Sequence, residues 1–324
     1  MEKTLRWAVL GTGVIANQMA AALQSMGRTL DAVGNRTYDK AVAFAEKYGV
    51  PKIYDNYNEM FTDPDIDVIY ITTPHNTHMP FLEAALSNGK HVLCEKSITL
   101  NSDELQRAVT LAKENNVVLA EAMTIYHMPL YRALCERVAS GALGKVNLVQ
   151  LNFGSFKAYD MKNRFFNRSL AGGAMLDIGV YAFSLARMFL ESAPDQVKSF
   201  MRSAPTGVDE SAAIAMSNEE GQLVTATLSL HSKQPKRAVI SCEKGYIEVM
   251  EYPRAEEAII VDAETGAVEK VRAGRTADAL RYELEDMEAA ILNGKDMHLS
   301  YTEDVMRLMT GLRREWGVIY PEEE

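Results

Sequence analysis

The apolar residues of the first 120 positions follow two alternating patterns. Short, nearly continuous apolar runs occupy residues 5–10, 29–34, 68–71, 91–94 and 117–120, and such runs are typical of strands buried in a parallel sheet. Stretches with apolar residues at helical spacing, such as residues 38–48, lie between these runs. Residues 1–122 are therefore predicted to form a doubly wound parallel sheet, the first half of an α/β protein.

The pattern changes near residue 123. Residues 145–151 alternate with the period of a strand, and an apolar helix runs from the pair Gly172-Gly173 to about Phe189. Short strand-like runs separated by Pro, Gly and charged turns then fill residues 195–272, which favours antiparallel pairing. Residues 123–324 are predicted to form an α+β domain with an open, mostly antiparallel sheet, its last helix packing back on the first domain.

Composition and charge narrow the possible partners. A net charge of −10 and a pI of about 5.3 argue against nucleic acid and anionic membranes. No apolar run reaches the roughly 20 residues that a membrane helix needs, and Met1 to Lys3 lead straight into a strand, without a signal peptide. The three cysteines are widely spaced and fit no metal pattern. We expect a reduced, cytoplasmic protein without a metal.

A Gly-x-Gly-x-x-Ala motif connects the first strand to the first helix. Gly11 permits a tight turn, Gly13 has no Cβ to obstruct a pyrophosphate, and Ala16 lets the helix pack closely on the strand. The helix N-terminus offers free N–H groups and the positive end of its dipole. The predicted phosphate-binding turn comprises Gly11, Thr12, Gly13, Val14 and Ile15.

The end of the second strand favours NADP over NAD. NAD-binding units carry an acid roughly 20 residues after the glycines, where it binds the ribose 2′-hydroxyl. This chain has Asn35 and Arg36 there, and a guanidinium attracts a 2′-phosphate that a carboxylate would repel. The alternative is that Arg36 is only a solvated residue at a strand end, which leaves NAD possible.

Two loops leave the carboxyl ends of parallel strands, where ligands bind in such sheets. The loop of residues 72–78 carries Thr73, Pro74, Asn76 and His78, which we expect at the edge of the cofactor or, alternatively, in loop support. His75 and His78 have the spacing of a metal pair, but no third ligand is near.

The second loop begins with Glu95 and Lys96. A lysine at the start of a loop is usually solvated, but here the sheet geometry directs Lys96 towards the nicotinamide.

Asp177 and Tyr181 are four residues apart on an otherwise apolar helix and therefore share one face. One interpretation is structural, with Asp177 paired to an arginine and Tyr181 packed in the core. The other makes this face the lining of the active-site cleft. In that case, Gly172 and Gly173 let the substrate approach the backbone.

These motifs resemble those of the Gfo/Idh/MocA oxidoreductase family, in order and spacing over nearly the whole chain. The resemblance rests on residues 11–16, on Cys94-Glu95-Lys96 and on Gly172-Gly173 with Asp177 and Tyr181, and segments 121–123, 142–146 and 207–210 extend it. The branch containing dimeric dihydrodiol dehydrogenase and NADP-dependent xylose dehydrogenases is most similar. Ser97 departs from the family's proline, which would loosen the loop at Lys96.

The resemblance implies an NADP-binding Rossmann domain and a second domain that binds substrate and forms a homodimer or tetramer through its sheet. It implies that Lys96, Asp177 and Tyr181 are catalytic. It adds Met123 as a cofactor contact and Arg164 as a contact of the cofactor or the substrate. His127 and Tyr159, with Tyr126 and Asp160, are candidate substrate residues in loops.

The predicted reaction is hydride transfer between the nicotinamide and a carbinol carbon of a sugar, polyol or cyclic diol. Tyr181 is favoured for proton transfer because a cationic Lys96 beside it would lower its pKa, although Lys96 itself remains possible. Asp177 would orient both groups. Two alternatives remain open: a non-catalytic NADP-sensing regulator on the same fold, and a glycosidase with a permanently bound dinucleotide.

Overall fold

The computed structural model describes residues 4–324, and the chain forms two compact units. The first unit comprises the chain up to Ala122 together with Leu280–Leu299. The second comprises Met123–Ala279 and Ser300–Glu324.

The first unit contains a six-stranded sheet in which every pair of neighbouring strands is parallel. Its elements are β1 (Trp7–Leu10), α1 (Val14–Ser25), β2 (Ala32–Gly34), α2 (Tyr38–Tyr48), β3 (Lys52–Tyr54), α3 (Tyr57–Thr62), β4 (Val68–Ile71), α4 (His78–Ser87), β5 (His91–Glu95), α5 (Ser102–Glu114) and β6 (Leu119–Ala122). The strand order β3-β2-β1-β4-β5-β6 is that of a Rossmann fold, which confirms the predicted doubly wound sheet.

The second unit is built on an eight-stranded sheet ordered β14-β13-β12-β11-β7-β10-β9-β8. Its elements are α6 (Thr124–His127), α7 (Pro129–Ala139), β7 (Val146–Gly154), α8 (Val180–Phe189), β8 (Gln196–Ser203), β9 (Asp209–Ser217), β10 (Leu223–Ser229), β11 (Gln234–Cys242), β12 (Gly245–Met250), β13 (Glu257–Asp262), β14 (Val268–Arg272) and, after α9 (Ala279–Asn293), α10 (Leu299–Glu315). Only the pairing of β7 with β10 is parallel, which confirms the expected mostly antiparallel sheet.

The late helix that belongs to the first unit is α9, whereas the last helix was expected to pack there. Leu284 and Met287 of α9 are buried in the same apolar cluster as Trp7, and the Trp7 indole donates to Glu288 at 2.8 Å. Helix α10 instead belongs to the second unit, where its Asp304 accepts a hydrogen bond from Arg187 of α8.

The helical stretch Arg168–Phe189 is long and apolar enough to cross a membrane by length and composition alone. The expectation that no run would reach this length was therefore wrong by that test. Of its most apolar window, 78% is buried inside the protein, where α8 packs against β7. Its apolar character is accounted for by this place in the core of the second unit.

The sheet of the second unit has one buried and one open face. Val149, Leu151 and Phe153 of β7 point into the core, and their strand neighbours point to the other side. One row of paired residues crosses this open face from β10 to β14: Leu223, Leu148, Ser241, Tyr246, Val261 and Val268. Several members of the row are exposed apolar side chains.

Candidate active site

The turn after β1 is shaped by two glycines with different surroundings. Gly11 has a φ of +108°, and a Cβ there would lie 2.6 Å from the hydroxyl oxygen of Thr72. Gly13 begins α1, and a Cβ built on it would meet nothing within 4 Å. The Asn17 amide donates to the carbonyl oxygens of Thr12 and Gly13 at 3.2 and 2.8 Å, which holds the turn in place.

The start of α1 suits a pyrophosphate group. Among residues 4–324 no side chain caps the helix, and its first turn holds no acidic residue. Its N–H groups can therefore bind an anion. An open depression runs over this end of the helix and is lined by Thr12, Gly13, Val14, Asn17, Gln18 and Ala21. These residues fit the phosphates of a dinucleotide.

The end of β2 presents a cation. The Arg36 side chain is exposed, and Asn35 bonds locally, donating to the Thr37 carbonyl oxygen at 2.9 Å. Burial raises the pKa of the neighbouring Tyr57, and the positive charge of Arg36 opposes that shift, so the guanidinium lies near this phenol. No carboxylate follows β2 at residues 35–37.

His78 joins the loops that follow β4 and β5. Its imidazole is fully buried, with Nε2 lying 2.8 Å from the carbonyl oxygen of Thr73. The other ring nitrogen, Nδ1, lies 3.1 Å from the carbonyl oxygens of both Ser97 and Ile98. The interpretation of His78 as a cofactor contact therefore gives way to its alternative, loop support, because both ring nitrogens face backbone inside the unit.

The backbone at Lys96 and just after it is bonded to other residues. The Nε2 atom of His75 lies 2.9 Å from the Lys96 carbonyl oxygen. The buried carboxylate of Glu121 accepts a hydrogen bond from the Ile98 N–H at 3.1 Å. Lys96 itself is only partly buried and begins a loop whose backbone is bonded to His75 and Glu121.

Other candidates of the first unit surround this edge. The phenol of Tyr70 donates to the Glu95 carboxylate, and Asn76 lies in a short 3₁₀ turn, His75–Thr77. The Pro74 carbonyl oxygen accepts the Thr77 N–H at 2.9 Å, which closes that turn. Their contact with a cofactor stays a prediction.

In the second unit, Asp177 and Tyr181 lie on the least buried side of an apolar helix, as predicted from their spacing. Asp177 belongs to a π-helical segment, Met175–Gly179, that continues into α8. Its side chain is 13% exposed, and the Arg164 guanidinium lies 3.4 Å from its carboxylate. This ion pair is the contact that the structural interpretation of Asp177 predicted. Arg164 was expected at the cofactor or the substrate instead.

The double glycine makes room for atoms of the chain itself, whereas space for the substrate was the expectation. A Cβ on Gly172 would lie 2.7 Å from the Arg164 carbonyl oxygen. Gly173 has a φ of +129°, and a Cβ there would lie 2.2 Å from Oδ1 of Asp209. The space that both glycines leave is occupied by the chain itself.

Asp209 is a buried acid that bonds to the backbone, and the sequence analysis did not identify this structural role. Its Oδ2 accepts the Met175 N–H at 2.6 Å, and its Oδ1 has no hydrogen-bond partner among residues 4–324. Burial raises the pKa of this carboxyl to about 7. One signal for this role was present in the sequence: an acid in segment 207–210 stands next to the alternating, strand-like run of β9.

Two of the four proposed substrate residues lie in a loop, as expected, and the other two do not. Tyr126 and His127 are buried on the short helix α6, not in a loop. The Tyr159 ring stacks on His231 with centroids 3.8 Å apart, and its phenol donates to Glu210.

Asp160, the fourth substrate candidate, lies in a loop, as expected. Asp160 closes a turn by accepting the Lys162 N–H at 2.9 Å. Met123, a proposed cofactor contact, is fully buried at the start of α6. Within residues 4–324, no group of three or more His, Cys, Asp and Glu side chains could hold a metal ion.

Two domain profiles match the chain. The oxidoreductase family profile described as an NAD-binding Rossmann fold matches residues 5–123, and that of the GFO/IDH/MocA C-terminal domain matches residues 131–248. Trans-1,2-dihydrobenzene-1,2-diol dehydrogenase of Homo sapiens is 32% identical over 250 residues, 76% of this chain and 74% of that protein. The enzyme of the same name from Xenopus tropicalis is 29% identical over 331 residues, 98% and 99% of the two chains.

Solved structures share the fold over the whole length. Levoglucosan dehydrogenase, solved with NADH and levoglucosan, has a TM-score of 0.87 at 18% identity and covers 97% of both chains. A 3-ketoreductase from Actinomadura kijaniata, solved with NADP and TDP-benzene, has a TM-score of 0.81 at 21% identity, over 96% of both chains.

The raised pKa of Asp209 predicts a pH-dependent contribution to stability. The folded chain holds this proton up to about pH 7, whereas an unfolded chain releases it near pH 3.8. The protonated carboxyl therefore makes its full contribution to the free energy of unfolding below pH 3.8, and this contribution is lost as the pH rises to about 7. In urea unfolding at pH 5 and pH 8, we expect the wild-type advantage over Asp209→Asn to shrink by about 1–3 kcal/mol.

The exposed Asp160 provides the control, because Asp160→Asn should show an advantage that does not change between the two pH values. An equally constant advantage for Asp209 would contradict the prediction.

Proposed function

The chain belongs to the Gfo/Idh/MocA oxidoreductase family, and we propose that it oxidises a carbinol carbon of a sugar, polyol or cyclic diol with NADP. The oxidoreductase class and the NAD(P)-binding Rossmann domain agree with the sequence analysis. The choice of substrate is supported by the diol dehydrogenases that resemble the chain over most of its length.

The observation that carries the proposal is the uncapped start of α1. Gly13 leaves open space in front of free N–H groups, and Asn17 fixes the turn behind them. This arrangement can bind a pyrophosphate through the backbone and the helix dipole. When bound, a nicotinamide exchanges a hydride at its C4 carbon.

The remaining chemistry concerns the substrate hydroxyl, which must lose its proton as the carbon–hydrogen bond breaks. We assign this work to Lys96, Asp177 and Tyr181. The Tyr181 side chain, ionised to the phenolate, takes the proton and becomes a phenol, the Lys96 ammonium stabilises the negative charge that develops on oxygen, and Asp177 orients these groups. The hydrogen-bonded backbone at Lys96 supports the assignment, because electrostatic stabilisation requires a group that is already in place.

Arg36 is proposed to select NADP. Its exposed guanidinium follows β2, where the chain has no carboxylate to receive a ribose hydroxyl. A 2′-phosphate can accept two charge-assisted hydrogen bonds from one guanidinium. The same site offers NAD no such interaction.

The open face of the second sheet is proposed to join copies of the chain into a homodimer or tetramer. Its row of exposed apolar residues includes Leu223, Tyr246 and Val268. Contiguous apolar surface of this kind marks protein–protein contacts. Cys94, Cys135 and Cys242 are free thiols, which suits the cytoplasm that we propose for the enzyme.

The first test is a panel of D-glucose, D-xylose, myo-inositol and trans-1,2-cyclohexanediol, assayed with NADP and NAD in parallel. We expect the wild type to reduce NADP with at least one alcohol. Lys96→Ala should lower kcat by at least about 100-fold, the scale of acid–base and electrostatic catalysis, while NADP affinity is largely kept.

Lys113→Ala removes an exposed lysine from α5 and should leave kcat unchanged. Unchanged turnover in Lys96→Ala would refute the assignment of Lys96. Tight NADP binding without any turnover would favour the regulator, and a dinucleotide retained through gel filtration would favour the glycosidase.

The second test concerns the preference for NADP. Arg36→Ala should raise the KM for NADP about 10- to 100-fold, because charge-assisted hydrogen bonds contribute roughly 1.5–3 kcal/mol. The KM for NAD should stay within about threefold. Arg107→Ala, which removes an exposed arginine from α5, serves as the control. Equal changes for both dinucleotides would rule out recognition of the 2′-phosphate by Arg36.

The third test addresses the oligomer. The double variant Leu223→Glu with Tyr246→Glu places two charges on the open sheet face and should shift the mass in light scattering to that of one chain. Burying unpaired charges in an apolar contact is strongly unfavourable. Leu292→Glu changes an exposed leucine of α9 and should leave the mass unchanged. An assembly that persists in the double variant would exclude this face.

A further inference from the structure

Three fully buried polar side chains surround the start of the helical stretch that carries Asp177 and Tyr181. They are Asp209 at the start of β9, Arg313 of α10, and Tyr320 in the C-terminal segment that follows α10, residues 316–324. None of them has a part in the chemistry assigned above. Burying polar groups is costly unless they are hydrogen-bonded. Each of these three side chains forms a hydrogen bond to the backbone of the second unit.

Asp209 binds the first turn of this stretch. Its carboxylate accepts the Met175 N–H at 2.6 Å, in the manner of a helix cap supplied from a distant strand. Only a glycine at position 173 permits this approach, because a Cβ there would collide with Oδ1. Asp177 follows Met175 by two residues, so a shift of the capped turn would move its carboxylate directly.

Tyr320 binds the turn that precedes the helix. Its phenol donates to the Gly172 carbonyl oxygen at 2.7 Å, and the Arg313 guanidinium lies 4.5 Å above its ring. Arg313 also donates to the Val318 carbonyl oxygen and to both carboxylate oxygens of Glu323, each at 2.9 Å. The C-terminal segment is thereby bonded to α10 through Arg313 and to Gly172 through Tyr320.

We propose that Asp209 and Tyr320 are positioning residues that fix the helical stretch from which Asp177 and Tyr181 act. The C-terminal segment thus contributes to turnover without contact with the substrate. The proposal rests on the roles given to Asp177 and Tyr181 under the proposed function. Misplacement of a reacting group by about 1 Å can cost about 100-fold in rate. Loss of the hydrogen bond from Asp209 or Tyr320 should therefore lower kcat more than it changes the KM values.

A matched pair of tyrosine variants separates positioning from general stability. Tyr320→Phe removes the hydrogen bond to Gly172. Tyr131→Phe removes a hydrogen bond from an equally buried phenol to the Tyr252 carbonyl oxygen, in the same unit but bonded neither to Gly172 nor to the π-helical segment. Both variants should lower Tm by similar amounts. Only Tyr320→Phe should lower kcat, by about tenfold, with the KM for NADP unchanged.

Two further readouts do not depend on stability. The isotope effect on kcat, measured with the active panel alcohol deuterated at its oxidised carbon, should rise in Tyr320→Phe and stay constant in Tyr131→Phe. Asp209→Asn keeps an oxygen acceptor for the Met175 N–H and should retain kcat within about threefold. Asp209→Ala lacks the acceptor and should lose tenfold or more.

Tyr181→Phe distinguishes failure of this proposal from failure of the proposed function. If Tyr181→Phe and Lys96→Ala lose turnover but Tyr320→Phe behaves like Tyr131→Phe, the positioning role is overturned and the proposed function stands. If Tyr181→Phe turns over normally, the assigned chemistry fails and the positioning proposal falls with it. A loss confined to Tyr320→Phe and Asp209→Ala, beside an inactive Tyr181→Phe, supports both.

Discussion

Backbone polar groups that leave a sheet or begin a helix must find partners, and this requirement shapes both units. In the first unit, the loop after β5 presents carbonyl oxygens and an N–H that bond to His78 and Glu121. In the second, the N–H at the start of the π-helical segment bonds to Asp209. Each partner is a buried side chain from another part of the same unit, because water cannot reach these positions.

This requirement separates the residues that support from those that can react. His78, Asp209 and Tyr320 are fully buried and bonded to backbone, so their side chains cannot meet a substrate. Lys96 and Asp177 retain partial exposure next to these supports. A group that stabilises charge during a reaction must be accessible and yet held still, and support from buried neighbours provides both conditions.

The glycines show how one residue type serves two purposes. At Gly11 and Gly173 the missing Cβ makes room for the chain's own atoms, the hydroxyl of Thr72 and the carboxylate of Asp209. At Gly13 the same absence faces open space at a helix N-terminus. Only the last of these surroundings is suited to an incoming phosphate, although the three positions look alike in the sequence.

The sequence by itself determined the features that local periodicity and turn chemistry encode. The bounds of α2 and β4, the glycine-rich turn after β1 and the shared face of Asp177 and Tyr181 all follow from neighbouring residues. Strand β3 has only three residues, all of intermediate burial, and gives no comparable pattern. Only the tertiary structure decided that α9 joins the first unit, that His78 supports a loop, and that Asp209 and Tyr320 hold a helix. Such contacts join residues far apart in the chain, and distant hydrogen bonds leave no periodic trace in the sequence.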